Sequence, residues 1–278
     1  MELQCARCCS PLALPSVRSA FTCQSCGTAY YGGAGFLRYK FDDWLFERFG
    51  EQYLRNRVLN NNAEIAYRNE SVGSLSTGDR EDVTKFAIYV AGHSHQGRVL
   101  DVGCGILPLP GYLSMVAQRG DELLGLDPMD SDAFQGFRIV GCSEYIPLPD
   151  ASLDTVIFGT SLDHVCDIDA TMRETRRVLR KGGRVIIWMG DKSQSIARGI
   201  MVWARQRIKS LIKGYPTYRY TLLPNGTVMY VPPWAADAFH SYKESPDDVT
   251  RRMGRADFRL VDMDYQGRDQ VFLCFEAE

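Results

Sequence analysis

The stretch Val99-Leu100-Asp101-Val102-Gly103-Cys104-Gly105-Ile106-Leu107-Pro108-Leu109-Pro110 decides the fold of this chain. An aliphatic run that ends in an acid and two glycines one residue apart predicts a buried parallel strand turning sharply into a helix. Glycine accepts backbone angles and close ligand approach that side chains forbid. Residues 111–118 supply the helix. Further on, Leu123-Leu124-Gly125-Leu126-Asp127 reads as a second strand, and its terminal carboxylate lies where a ribose diol can donate two hydrogen bonds. A glycine turn alone is equally an ordinary strand-to-helix connection, so the order of the following segments matters.

Those segments are GCSEYIPLPD (141–150), a strand over 153–159, a helix ending at Leu179, the turn Lys181-Gly182-Gly183 and a strand over 184–189. The runs VLDVGCG, GLDP, GCSEYIPLPDASLDTVIF and RRVLRKGGRVIIW together resemble the class I S-adenosylmethionine-dependent methyltransferases, over residues 97–190 and more loosely to the end. The resemblance implies an α/β fold: a Rossmann-like class I methyltransferase sheet spanning 96–278, with S-adenosylmethionine as cofactor. It further implies that Asp101, Gly103 and Gly105 line the methionine and ribose portion. Asp127 would hold the ribose hydroxyls, Cys142, Ser143 and Glu144 would edge the adenine, and Thr160 and Ser161 would face the transferable methyl. Two positions depart from the family pattern. Leu107 stands where a third glycine is usual, and Cys142 where many relatives carry an aspartate.

At 278 residues and 45% hydrophobic content the chain buries a sizeable core and exceeds one average domain. Its net charge of −2 lacks the basic field that dominates non-specific nucleic-acid binding. The cluster Arg173, Arg176, Arg177, Arg180 and Lys181 reads as the solvated face of an amphipathic helix. The first residues carry no apolar signal core, and no stretch approaches the roughly 18 apolar residues of a membrane span. The expectation is a cytoplasmic protein without a membrane span.

Five of nine cysteines fall within the first 26 residues. Cys5-x2-Cys8 and Cys23-x2-Cys26 are paired knuckles separated by 14 residues, a pattern that completes a tetrahedral shell of four thiolates. The expectation is structural Zn2+ in a ribbon over 1–38, with Cys9 as a spare thiol or alternative ligand. The surrounding residues resemble small zinc ribbons that precede some bacterial methyltransferases. Some of those act on ribosomal RNA and others on small metabolites or sugars. Gly32, Gly33 and Gly35 read as a linker. Phe41, Leu45, Phe49 and Tyr53, then Val83, Phe86 and Val90, recur at helical spacing. They predict a helical lead-in over 39–95 that closes over the cofactor.

A sulfonium methyl is already activated, so an enzyme mainly aligns the acceptor, excludes water and, for a hydroxyl, takes its proton. Asp163 and His164 follow the fourth strand at the ligand-binding edge, and His164 is the candidate base; capping and packing are the alternative roles. His240 is a second candidate. Asp163, Asp167 and Asp191 are a candidate divalent-ion set, and His93 and His95 read as surface residues. Residues 193–245 read as a cap insertion rich in aromatic residues and arginines, among them Trp203, Arg205, Arg207, Tyr215, Tyr218, Arg219, Tyr220, Tyr230 and Trp234. Such side chains suit a small-molecule acceptor site, or equally a homodimer interface.

The leading expectation is methylation of a small molecule, O-directed, on a sugar, glycolipid intermediate or specialised metabolite. An rRNA or tRNA base methyltransferase, suggested by the ribbon, is weakened by the acidic balance and by GTSLDHV in place of an Asn-Pro-Pro-Tyr-like motif. A non-catalytic regulatory protein that keeps the fold is the third reading, resting on Leu107 and Cys142.

Overall fold

The computed structural model describes residues 2–69, 80–191, 219–222, 228–232, 234–235, 238–240, 244–267 and 269–278. Strands β1 (Leu3–Gln4) and β2 (Pro11–Leu12) form a small hairpin, followed by β3 (Ser19–Thr22), β4 (Ala29–Gly33) and β5 (Phe36–Tyr39). Helices α1 (Asp42–Phe49), α2 (Glu51–Asn69) and α3 (Glu81–His93) lead into β6 (Arg98–Val102). A 3-10 turn at Gly111–Leu113 and α4 (Ser114–Arg119) then connect to β7 (Glu122–Asp127), β8 (Phe137–Val140) and β9 (Leu153–Gly159). Helix α5 (Ile168–Val178), β10 (Leu179–Gly190), β11 (Arg219–Leu222), β12 (Val228–Val231), α6 (Pro246–Arg255), β13 (Phe258–Gln266) and β14 (Gln270–Ala277) complete the order.

One ten-stranded sheet runs β13-β14-β10-β9-β6-β7-β8-β5-β4-β3. The strands β6 to β10 are mutually parallel, and β14 reverses against β10 with Val185 opposite Phe275 and Ile187 opposite Leu273. Such buried central strands read as near-continuous apolar runs, and Val99, Leu100, Val156, Ile157, Phe158, Val185, Ile186 and Ile187 are all fully inaccessible. The chain leaves β6 toward β7 on one side and, after β8, crosses back to β9 on the other side of β6. A ligand crevice opens there, beyond the carboxyl ends of the strands.

Gly32, Gly33 and Gly35 are not a linker. Gly32 and Gly33 lie in β4, and Gly35 (φ +71°) turns the chain into β5, which pairs in parallel with β8. A Cβ at Gly33 would sit 2.5 Å from the Arg18 amide nitrogen. Close backbone packing, not flexibility, therefore explains these glycines. The strands that follow the cysteines are thus continuous with the central parallel sheet.

Leu45, Tyr53, Val83, Phe86 and Val90 are buried on α1 to α3, Phe41 precedes α1, Phe49 is partly buried, and Gly50 separates α1 from α2. Residues 60–69, polar in composition, continue α2. Arg177 is tied to Glu174, Asp150 and two backbone carbonyls, which removes it from a solvated basic face. His95, read as a surface residue, is half-buried, with its Nε2 3.1 Å from Gly182 O. Within the cap insertion, Trp203, Arg205, Arg207, Tyr215 and Tyr218 lie outside the described residues. Arg219 and Tyr220 lie in β11, paired with β12. No helix among the described residues is long and apolar enough to cross a membrane.

Candidate functional site

The carboxyl ends of β6, β7 and β9 open onto a cleft walled on the other side by residues of α1 and α2, including Leu45, Tyr53, Asn56 and Tyr67. Gly103, Gly105, Asp127, Cys142, Ser143, Glu144, Thr160, Ser161 and His164 all line it.

The glycine turn is built around Asp127. Its Oδ2 accepts from the Gly105 amide at 2.8 Å and its Oδ1 from the Met129 amide at 2.7 Å, while the Gly103 amide donates to Leu126 O at 2.7 Å. A carboxylate has about four acceptor directions, so Asp127 can still receive a ribose diol. Burial raises its carboxyl above the usual range, an effect opposed by Arg138 and the two amides. Gly103 must be glycine on two counts: φ is +81°, and a Cβ there would lie 2.2 Å from Ser161 Cβ.

Asp101 is not among the cleft-lining residues. Its oxygens receive the Tyr112 hydroxyl at 2.9 and 3.1 Å, and burial pushes it up to about 7. It supports the turn from beneath. Glu144 also spends its carboxylate on structure: Oε1 accepts from the amides of Cys166 (2.7 Å) and Asp167 (3.1 Å), which tethers the loop after β9. Ser143 Oγ lies 2.9 Å from Thr171 Oγ1.

Two residues that hold the site were not singled out in the sequence. Arg138, only 1% exposed, donates from Nη1 to Gly105 O (2.8 Å) and Cys104 Sγ, and from Nη2 to Met129 O (2.6 Å). It thereby locks the β6 turn to the loop after β7. An arginine inside the otherwise apolar Phe137-Arg138-Ile139-Val140 was the available signal, because an arginine is almost never fully buried unless paired. Tyr39, at the end of β5, places its hydroxyl 2.5 Å from Tyr145 O and 3.1 Å from Cys142 O, and accepts from the Cys142 amide. Its ring occupies the space a Cβ at Gly141 would need, at 2.3 Å.

At the far end of the cleft, Asn56 of α2 donates to the carbonyls of His164 (2.9 Å) and Val165 (3.1 Å). Asp163 and His164 lie on a 3-10 turn, and His240 joins them from a distant segment. Asp163 Oδ1 is 3.9 Å from His164 Nε2, its Oδ2 is 3.5 Å from His240 Nε2, and the two rings are 4.8 Å apart. The suggested Asp163, Asp167 and Asp191 set does not assemble. Asp167 caps α5 by accepting from the Ala170 amide, and Asp163 groups with the histidines instead.

The sulfurs of Cys5, Cys8, Cys23 and Cys26 converge within 4.8 Å of one another, with Cys5–Cys26 at 3.6 Å and Cys8–Cys23 at 3.7 Å. The two knuckles repeat one backbone pattern. Cys5 N donates to Ser10 O and Cys23 N to Thr28 O, and the fifth residue of each, Cys9 (φ +60°) or Gly27 (φ +73°), is left-handed. Tyr30 donates to Cys5 Sγ at 3.1 Å.

A sequence-family model described as a methyltransferase domain matches residues 100–187. With the sheet order and the glycine turn, this match makes the central part of the chain similar to methyltransferase domains. Among curated relatives, the ubiquinone/menaquinone biosynthesis C-methyltransferase UbiE of Caulobacter sp. (strain K31) is 33% identical over 115 residues, covering 41% of this chain. The chain spans about two fifths (40%) of that relative's length. The protein of the same name from Salmonella arizonae is 24% identical over 198 residues, covering 65% of this chain and 73% of the relative. The crystal structure of PH0226 from Pyrococcus horikoshii OT3 shares the fold, with a TM-score of 0.50, 16% identity, and coverage of 77% of this chain and 98% of that one.

Proposed function

We propose that the protein transfers a methyl group from S-adenosylmethionine to a small molecule with a hydroxylated aromatic ring, and that the acceptor atom is a ring carbon. The observation that carries this reading is a cleft lined by both the donor-type turn and His164, with Asp163 and His240 grouped around His164. The relatives' printed activity, C-methylation, favours carbon over the oxygen expected from the sequence. Removing a phenolic proton makes the neighbouring ring carbon nucleophilic, so the same cluster serves either acceptor atom.

In this reading bound S-adenosylmethionine supplies an activated methyl. Gly103 and Gly105 let the backbone approach it, Asp127 accepts from the ribose, and the loop at Cys142 to Glu144 borders the base. The α1 and α2 wall excludes water and aligns the acceptor. Asp163, His164 and His240 draw off the acceptor proton. The four cysteines hold structural zinc: with Zn–S bonds of about 2.3 Å, tetrahedral sulfurs lie about 3.8 Å apart, close to the two distances found. Because the ribbon strands extend the main sheet and support the Cys142 loop through Tyr39, the ribbon serves the cofactor site and not an RNA grip.

Labelled methyl from S-adenosylmethionine, offered to hydroxylated aromatic compounds, should appear as a ring-bound C–CH3 signal by NMR. An O–CH3 signal would return the reading to O-transfer, and label only in RNA would overturn it. Asp127→Ala should weaken S-adenosylmethionine binding by about 1 to 3 kcal/mol, the usual cost of leaving buried polar partners unpaired. Calorimetry checks this, and an unchanged affinity removes Asp127 from the ribose role. His164→Ala should lower kcat by about 100-fold or more with cofactor affinity held within about twofold. Equal turnover would take His164 out of the chemistry.

A further inference from the structure

We propose that Asp163, His164 and His240 form a binding site for a divalent transition metal, which presents an oxygen of the acceptor at the edge of the methyl-donor cleft. This rests on the methyl-transfer reading above and specifies how the cluster acts.

The first argument is convergence. Two residues of one 3-10 turn meet a histidine from a distant segment, and their donor atoms all lie within 4.8 Å. Apart from the cysteines, this is the sole such group among the described residues. The second is spacing. The carboxylate stands 3.9 Å from one imidazole nitrogen and 3.5 Å from the other, beyond the roughly 2.7–3.2 Å of a good hydrogen bond. An ion with bonds of about 2.0–2.2 Å sets its donors about 3 to 3.6 Å apart, so small rotations close this cluster around one.

The third argument is donor chemistry. Two imidazoles with one carboxylate match zinc, iron and similar ions, whereas magnesium and calcium favour all-oxygen shells. Three protein ligands leave coordination positions open, the arrangement of catalytic rather than structural sites. The side chains of Asp163 and His164 are each 27% exposed and that of His240 24%, so an ion there is shielded yet reachable. Because His164 also lines the cleft, the ion would lie at its edge. An acceptor hydroxyl ligated there would lose its proton more readily. The site therefore selects acceptors with a phenolic or enolic oxygen next to the methylated position.

The test is cobalt titration of the full chain after dialysis against a mild chelator. The expected result is two equivalents, one with the thiolate-to-cobalt charge-transfer band of the four cysteines and one with only the ligand-field bands of nitrogen and oxygen ligands. His240→Ala and Asp163→Asn should each weaken the second equivalent at least about tenfold and leave the charge-transfer band and S-adenosylmethionine affinity intact. Excess Mg2+ should not displace it. Cobalt bands of thiolate type alone, or a second equivalent unaffected by both variants, overturn the site. Calorimetry with S-adenosylmethionine on the same samples separates the two readings. A chain that takes the second ion but binds no S-adenosylmethionine overturns the methyl-transfer role and keeps only the ion site.

Discussion

Arg138→Leu is expected to destabilise the protein by about 3 to 5 kcal/mol, the range for removing one partner from a buried charged network. Leucine fills part of the space, but Gly105 O and Met129 O lose their donor. Asp101 and Asp127, both buried, lose a cation that favours their charged forms. The β6 turn and the loop after β7 are then no longer tied together, so S-adenosylmethionine affinity should fall with stability. Arg138→Lys separates the two effects. It keeps a charge but not the planar fork, and should regain part of the stability while cofactor affinity stays low. Denaturant unfolding and calorimetry check this. A leucine variant within about 1 kcal/mol of the parent would mean that the guanidinium contributes little to the network.

Cys23→Ser is expected to abolish zinc binding at the four cysteines and also to weaken S-adenosylmethionine binding about tenfold or more. A four-thiolate ion is bound strongly enough that its loss unfolds small modules outright. Here the released segment is coupled to the cofactor cleft. Tyr30 donates to Cys5 and packs its ring at a tilt against Tyr39 with 6.0 Å between centroids, and the Tyr39 hydroxyl fixes Cys142 and Tyr145. Strand β5 also pairs with β8, which carries Arg138. Elemental analysis reads the metal and calorimetry the cofactor. Zinc-free parent protein sinks the four-thiolate reading, while zinc loss with unchanged cofactor affinity would limit the ribbon to local stability.

Local pattern carried much of this molecule. The aliphatic run before Gly103 and the acid ending the next strand at Asp127 are legible in sequence, because strand burial and glycine turns are written in neighbouring residues. The apolar spacing over 41–53 and 83–90 likewise marked the lead-in helices. The resemblance implies a place for Asp101 beside the methionine and ribose; its contact with the Tyr112 hydroxyl is a tertiary one that no strand pattern announces. The glycines at 32, 33 and 35 were read as flexible because composition cannot distinguish a linker from a close backbone crossing.

The sequence by itself determined the strand and turn that define the domain, the paired cysteine knuckles, and Asp163, His164 and His240 as separate candidates. Long-range packing alone brings the three together, joins the strands after the cysteine knuckles to the main sheet, and sets Arg138 and Tyr39 against the cleft. Those outcomes depend on contacts between residues far apart in the chain. Such contacts follow from how strands pair and loops meet, and no local periodicity encodes them.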